Sequence, residues 1–435
     1  MRWYTAAVLI LIFALIFQFG LLAYAMYVLL GVMILSRFLA QTWIRNISVV
    51  RECNRLTAEI GDVVAVVVTL KNTSPIPIAW LLAEDLLPEA ALLYHPPNLQ
   101  LKGHRMQLLM LRGNGAKVLT YQMKCNRRGY YQLGPTIIET GDLFGLHRRY
   151  HVAAEPYFLL VYPRVIPLQG FDIASRRPIG EVRMTYRLYE DPTRIAGVRR
   201  YEPGDPLNRV HWRATARTGV LHSKAYEPST VAGATLLMDF HQASHAAEHE
   251  PYRSELAVTA AASVANAIYE MGQQIGLVTN GRDAADRIRV EGWDYDPKTR
   301  RQARREASMR ERNERLQPLV VPTGRGPEQI RQLLETLARV ELTDGLDFGQ
   351  LILETTPRMP RDATIIALLP RVTTREVIAL QSLRHQGFAV AVILNVHDEY
   401  DFAAAAGPLQ AIGIPTFHLK DEASITVVCQ QYLLR

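Results

Sequence analysis

Cysteine is scarce in this chain: three in 435 residues, at Cys53, Cys125 and Cys429. Their odd number and wide spacing rule against a disulfide frame or a thiolate metal site and suit reduced, buried thiols. Other absences narrow the function further. No zinc-ligand spacing, no aromatic nucleic-acid signature and no helix-turn-helix pattern occurs, and a net charge of +7 is modest for this length, so nucleic acid is not an expected partner. No serine nucleophile elbow, pair of glycosidase carboxylates or cysteine-protease signature is present. Pro322-Thr323-Gly324-Arg325-Gly326-Pro327 lacks the lysine and hydroxyl order of a phosphate-binding loop and reads as a turn with proline at a helix start.

The longest absence is of charge. No ionisable side chain other than tyrosine occurs from Tyr4 to Ser36. As helix this run covers about 50 Å, against a hydrocarbon core of roughly 30 Å. Ala23-Tyr24-Ala25 imitates a signal-peptide cleavage site, but the apolar run continues through Leu35. The run is generous for one span and tight for two; Gln18-Phe19-Gly20 near its middle favours the bend of a transmembrane helical hairpin over a single span. Arg2 precedes the run, and Arg37, Arg45 and Arg51 follow it. Positive flanks on both sides predict that both open ends, and the soluble body, lie on the cytoplasmic side.

A length of 435 residues, 49% hydrophobic content and 21% charge predict a folded, multidomain chain. Beyond the anchor (1–45), residues 46–165 read as an antiparallel β-sandwich. Val63–Leu70 is β-branched and bounded by turn residues, and Met106–Leu111, Lys117–Lys124 and Tyr157–Tyr162 are further strands. Residues 166–230 read as a long polar linker, a length unusual unless the segment binds something or wraps a neighbour. From 231 to 435, apolar strands (Thr235–Phe240, Ile275–Thr279, Ala363–Leu369, Phe388–Leu394, Ile414–His418) alternate with helices (Ser254–Met271, Pro327–Val340, Arg375–His385). That alternation predicts an α/β domain around a mainly parallel sheet.

The chemistry concentrates in the linker. Residues 199–227 hold Arg199, Tyr201, the turn Pro203-Gly204-Asp205-Pro206, the pair His211-Trp212, and Arg209, Arg213 and Arg217. Gly204 can take positive φ, and each proline disfavours helix in the residue before it. Asp205 among so many guanidinium groups is expected to stay ionised and to order the turn. Trp212 offers a surface on which arginine stacks. Two readings stand: a docking surface for an acidic partner, with Arg199, Arg213 and Arg217 in contact and Trp212 packed beneath, or an ion-pair network that clamps the segment to its neighbour. A second charged stretch, 298–315, carries eight basic residues and reads either as a solvated helix or as an arm for anionic lipid headgroups.

The signature's order, Arg-x-Tyr-x-x-Gly-Asp, then His-Trp, then Ala-Arg, then an apolar strand, resembles that of the bacterial domain-of-unknown-function 58 family. Arg127-Arg128-Gly129-Tyr130-Tyr131-Gln132-Leu133-Gly134-Pro135 and Asp142-Leu143-Phe144-Gly145-Leu146 resemble its second pattern, in which the glycines mark tight corners and Phe144 and Leu146 look like plugs of the sandwich end. The resemblance implies a C-terminal von Willebrand factor A-like (Rossmann-like) domain and a MoxR-type AAA+ ATPase as partner. A working metal site in that domain type reads Asp-x-Ser-x-Ser, whereas this chain has Asp239-Phe240-His241-Gln242-Ala243, and Ala367-Leu368-Leu369-Pro370 offers no second aspartate. His241, His245 and His249 would share one face if helical, with Glu248 or Glu250 in reach, but the segment reads as a polar connection. No catalytic residue, metal or cofactor is therefore expected. The expected function is a non-enzymatic, membrane-anchored interaction module in envelope assembly or maturation. A membrane-bound hydrolase of envelope material and a purely structural scaffold are its rivals.

Overall fold

The computed structural model describes residues 2–93, 96–142, 148–167, 190–201, 210–228, 233–285, 316–360 and 363–433. The apolar run forms α1 (Arg2–Ile16) and α2 (Gly20–Arg45), packed on each other, with the Tyr4 hydroxyl donating to the Met33 carbonyl at 2.9 Å. The break falls at Phe17-Gln18-Phe19, where Gln18 takes φ 58°. α2, at 26 residues, is the one helix among the described residues long and apolar enough to cross a membrane, and only 17% of its most apolar window is buried. Its last turns enter the next domain: Ala40 and Trp43 are buried, and Asn46 leads directly into a strand.

That domain runs through β1 (Ile47–Cys53), β2 (Thr57–Glu59), β3 (Val63–Asn72), β4 (Ile78–Asp85), α3 (Glu89–Leu93), β5 (Leu99–Gly103), β6 (Met106–Leu111), β7 (Ala116–Cys125), β8 (Gly129–Leu133), β9 (Thr136–Gly141), β10 (Arg148–Ala154) and β11 (Tyr157–Tyr162). Two four-stranded antiparallel sheets, in the orders β1-β3-β7-β5 and β10-β9-β4-β6, share one core, and alternate residues of β3 (Val64, Val66, Val68 and Leu70) point into it. A third sheet, β2-β11-β8, departs from the antiparallel expectation because β2 and β11 pair in parallel.

At one corner of the sandwich, the buried Arg51 guanidinium pairs with Asp85 and donates to Leu133 O (3.1 Å), Glu155 O (2.7 Å) and Thr136 Oγ1 (2.7 Å). The Tyr121 hydroxyl completes the carboxylate at 2.7 Å. Arg51 therefore serves the domain's interior, and Arg37 and Arg45 alone are left as exposed basic flanks behind the hairpin. Gly134 sits against this corner at φ 87°, where a Cβ would lie 2.0 Å from the guanidinium.

Within the stretch read as a linker, β12 (Glu190–Arg200) and β13 (His222–Pro228) pair antiparallel, with α4 (Trp212–Thr218) between them in sequence. The α/β domain then comprises β14 (Gly233–Met238), α5 (Tyr252–Glu270), β15 (Gln274–Thr279), β16 (Arg282–Asp283), β17 (Leu319–Gly324), α6 (Pro327–Arg339), β18 (Val340–Glu341), α7 (Phe348–Thr355), β19 (Ala363–Leu369), α8 (Thr374–His385), β20 (Val390–Leu394), α9 (Glu399–Ala411), β21 (Thr416–His418) and α10 (Glu422–Leu433). Its sheet has the order β17-β15-β14-β19-β20-β21, parallel throughout except for the edge strand β17. Core residues of α5, α6 and α10 cover one face, and those of α7, α8 and α9 the other. β14 is accordingly buried along its whole length.

Candidate functional site

Three places gather polar chemistry: the arm formed by β12, α4 and β13, the carboxyl edge of the parallel sheet, and the joint between sandwich and α/β domain.

The arm holds the signature. α4 starts because His211 Nδ1 accepts the Ala214 N–H at 3.0 Å, and it ends at Gly219, whose left-handed φ of 70° turns the chain towards β13. The Tyr201 N–H donates to Leu221 O at 2.9 Å, and the His211 N–H to His222 O at 2.8 Å, so the base of α4 is fastened to the ribbon. Trp212 is 68% exposed, and so does not lie beneath the arginines. Arg213 and Arg217 are exposed and form no ion pair among the described residues. Arg199 is exposed on β12, and Tyr201 is half-buried. Val198, Val220 and Leu221 add exposed apolar surface that the sequence reading passed over; the signal for it was Thr218-Gly219, which ends the helix before two apolar residues. Gly204, Asp205 and the basic stretch 298–315 lie outside the described residues, as do Phe144 and Leu146.

The carboxyl edge is tied up internally. Asp239, at the end of β14, is 1% exposed, and its Oδ1 accepts the His241 N–H (3.1 Å) and the Asn280 amide (2.8 Å). Asn280 in turn accepts the Phe240 N–H at 2.6 Å and donates to Leu346 O at 2.9 Å. Asp239 Oδ2 has no hydrogen-bond partner among the described residues. A magnesium ion needs several hard oxygen donors, and one free carboxylate oxygen beside His241 and Ala243 does not fit one.

The three histidines do not share a helical face, because the segment forms two 3-10 turns, Gln242–Ser244 and Ala247–His249. His241 Nδ1 accepts the Ala243 N–H, His245 is buried against Glu250 (Nδ1 to Oε1, 2.9 Å), and the His249 ring lies 5.7 Å from that of His397. Burial raises the Glu250 carboxyl, but hydrogen bonds from His245 and Ser254 outweigh it and hold the group below its ordinary value. Arg253 closes the far side, donating to Asn395 Oδ1 (3.2 Å), Leu419 O (3.2 Å), Lys420 O (3.0 Å) and His397 Nδ1 (2.8 Å). These groups bond to one another across the ends of β14, β15 and β20.

The joint is made by Arg128, from the Arg-Arg-Gly pattern. Its guanidinium reaches across to the end of α6, donating to Leu337 O (2.6 Å) and Val340 O (2.9 Å), and faces Glu255 of α5 at 3.2 Å. Carbonyls at a helix C-terminus lack intrahelical donors, and a cation there also meets the negative end of the helix dipole. Tyr162 to Glu335 (3.3 Å) and the Ile166 N–H to Ser263 (3.0 Å) extend the same joint. The sequence pattern gave the glycine corner but no hint of a contact more than 200 residues away.

Residues 197–292 match the family described as "Protein of unknown function DUF58". The resemblance carried by the signature is thereby shown over 197–292, and the matched residues include the end of β12, α4, β13 and the strands β14 and β15 of the parallel sheet. The "Uncharacterized protein YeaD" of Bacillus subtilis (strain 168) is 24% identical over 270 residues, which is 61% of this chain and 64% of that protein. The chain thus matches less than two thirds of that relative's length. Among solved structures, proximal thread matrix protein 1 from the mussel byssus aligns with a TM-score of 0.29 at 8% identity over 46% of each chain. The CARDB domain of a Pyrococcus furiosus protein aligns at 0.19 and 12% identity, over 26% of this chain and 91% of that one. Likenesses this weak carry no argument.

Proposed function

We propose that this protein is a membrane-anchored, non-enzymatic interaction module whose signature arm docks an acidic surface of a cytoplasmic partner. The carrying observation is Trp212, exposed next to Arg213 and near Arg217, both exposed and without ion-pair partners among the described residues. Aromatic and arginine side chains are the residues that dominate binding at interfaces. The described residues of the arm carry Arg194, Arg199, Arg200, Arg213, Arg217 and Lys224 against Glu190, Asp191 and Glu227, a basic surplus that favours an acidic counterpart. The α/β domain supports a von Willebrand factor A-like reading through its strand order and its single antiparallel edge strand. The partner proposed is a MoxR-type AAA+ ATPase, the anchor is the α1–α2 hairpin in the inner membrane, and exposed Arg37 and Arg45 favour a cytoplasmic body.

The test is binding of a purified MoxR-type ATPase from the same organism to the detergent-solubilised full chain, measured for wild type, Trp212→Ala and Arg213→Glu/Arg217→Glu. Each substitution lies on exposed surface, so the variants are expected to keep their unfolding midpoints and to lose about tenfold or more in affinity. Equal affinity in all three removes the arm from the interface, and no binding to wild type removes this partner.

A further inference from the structure

The sandwich has two ends, and α2 enters at one of them. The helix passes into β1 through Asn46 alone, whose carbonyl accepts the Thr73 N–H at 2.8 Å. Thr73 follows β3, and the turn it opens is fastened to the turn between β6 and β7. The Asn72 N–H donates to Gly115 O (2.9 Å), the Asn114 N–H to Ser74 O (2.9 Å) and the Asn72 amide to Arg112 O (3.1 Å). Both turns therefore lie beside the last turn of α2. The pairing of β9 with β4 and β10 brings Gly141 and Arg148 to the same end. The joint with the α/β domain is at the other end: β7 starts here at Ala116 and runs away to Cys125, three residues before Arg128.

The end beside the helix carries charge of one sign. Arg45, Lys71, Arg112 and Lys117 are exposed and form no ion pair among the described residues. Arg148 is exposed as well, with Glu139 at 3.8 Å. The one carboxylate on segments 45–48, 71–77, 111–118, 141–142 and 148 is Asp142, which is buried. The far end mixes signs instead: Arg55 pairs with Asp62 at 2.8 Å, and Glu59 is exposed next to that pair. Arg37 is the first charge after the apolar run, and from there to Arg45 the helix rises about 12 Å. That distance keeps the basic end close enough for lysine and arginine side chains to meet a headgroup layer, and leaves no room for a folded protein between them.

We propose that this end of the sandwich is a docking surface for anionic phospholipid headgroups, seated on the membrane that holds the hairpin. The proposal rests on the membrane-anchor reading and adds a fixed stance to it. β7, with ten residues, spans about 33 Å between the two ends, so a seated sandwich holds the α/β domain off the bilayer.

The experiment uses the full chain in nanodiscs whose lipids carry a headgroup-linked quencher. Ala116 and Gln122 are exposed on the same side of β7, about 20 Å apart, with Ala116 at the basic end. Ala116→Cys and Gln122→Cys variants each receive a fluorophore, with labelled wild type as the blank for the native thiols. The lipid is phosphatidylcholine alone or mixed with phosphatidylglycerol. The Ala116→Cys probe is expected to be quenched more strongly when phosphatidylglycerol is present, and the Gln122→Cys probe weakly in both lipids. The excess should vanish in high salt and in a Lys71→Glu/Arg112→Glu/Lys117→Glu background, because each basic residue near an anionic surface shifts the ratio of seated to lifted states about fivefold. Quenching of the Ala116→Cys probe that is equal in the two lipids, or that survives the reversal in a chain with an unchanged unfolding midpoint, overturns the lipid surface and leaves the anchor standing. A full chain that stays outside the nanodiscs overturns the anchor itself.

Discussion

Replacing Arg128 by methionine keeps most of the side chain's apolar length and removes the guanidinium that joins the two domains. Two carbonyl oxygens at the end of α6, Leu337 O and Val340 O, lose their donor, and Glu255 loses its cation. Hydrogen bonds from a charged donor contribute about 1.5–3 kcal/mol each, and stripping one partner from a buried pair costs about 3–5 kcal/mol. Glu255 keeps about a quarter of its side chain in water and can rehydrate, so its share is discounted. The expected loss is therefore about 3 kcal/mol. It should fall on the docking of the α/β domain, because the sandwich retains its own Arg51–Asp85 network.

The assay is urea unfolding of the full chain in detergent, with one probe for the β-rich domain and one for the α/β domain, alongside limited proteolysis near Pro163–Ile166. In the variant the α/β transition should move to lower urea and separate from the other, and cleavage at the joint should accelerate. Arg128→Lys should lose about half as much, since one ammonium cannot reproduce the two-pronged reach of the guanidinium. A loss below about 1 kcal/mol with coincident transitions would refute the reasoning: the joint would then rest on Tyr162, Ile166 and the surrounding apolar contacts.

Gly134→Ala should cost about 3 kcal/mol, because the residue is at positive φ and its Cβ would collide with a guanidinium pinned by Asp85, Leu133 O and Glu155 O; an unchanged unfolding midpoint would show that Arg51 can move. Glu250 is held below its ordinary value, so the stability it contributes is complete above the unfolded carboxyl's value of about 4.3 and is lost as pH falls through the lower folded one. The stability difference between wild type and Glu250→Gln should be constant near neutral pH and shrink below about pH 4; a difference independent of pH would contradict the assignment. Burial pushes the Cys125 thiol up to about 11, so it should resist maleimide at pH 8 in the folded chain and react in urea, whereas rapid native labelling would show that the core opens locally.

Periodicity carried most of the fold. The β-branched run at Val63 and the apolar blocks at 106–111, 157–162 and 363–369 became strands at or near the expected bounds, because burial on both faces or on alternate residues leaves a pattern in the residue types themselves. Where no such pattern exists, the element was invisible. α9 contains four consecutive alanines followed by Gly407-Pro408, which make neither a stripe nor a helix signal, and its place comes from packing of Ala406 and Leu409 on the sheet. β12 and β13 were hidden for a different reason: their residue types show little apolar alternation. Of the candidate site, the residue types at 199–217 were legible, but not their direction. The same arginines and tryptophan could have been packed inward, and their exposure at Trp212 and Arg213 is visible only in the fold.

A clamp between domains is built by a residue outside the signature. Arg128 joins the two domains with backbone carbonyls as its acceptors, and such acceptors leave no trace in a sequence. Arg51 does the same within the sandwich, and Ala40 and Trp43 set the last turns of α2 into it. From the hairpin to the parallel sheet, each described joint is thus closed by buried contacts. The arm differs: β12, β13 and α4 pack mainly on one another, and β13 ends shortly before Gly233, where β14 starts. β14 lies between β15 and β19 and ends at Asp239, whose carboxylate is bonded to Asn280 at the tip of β15. A load on the arm therefore enters the α/β domain at a strand buried along its whole length.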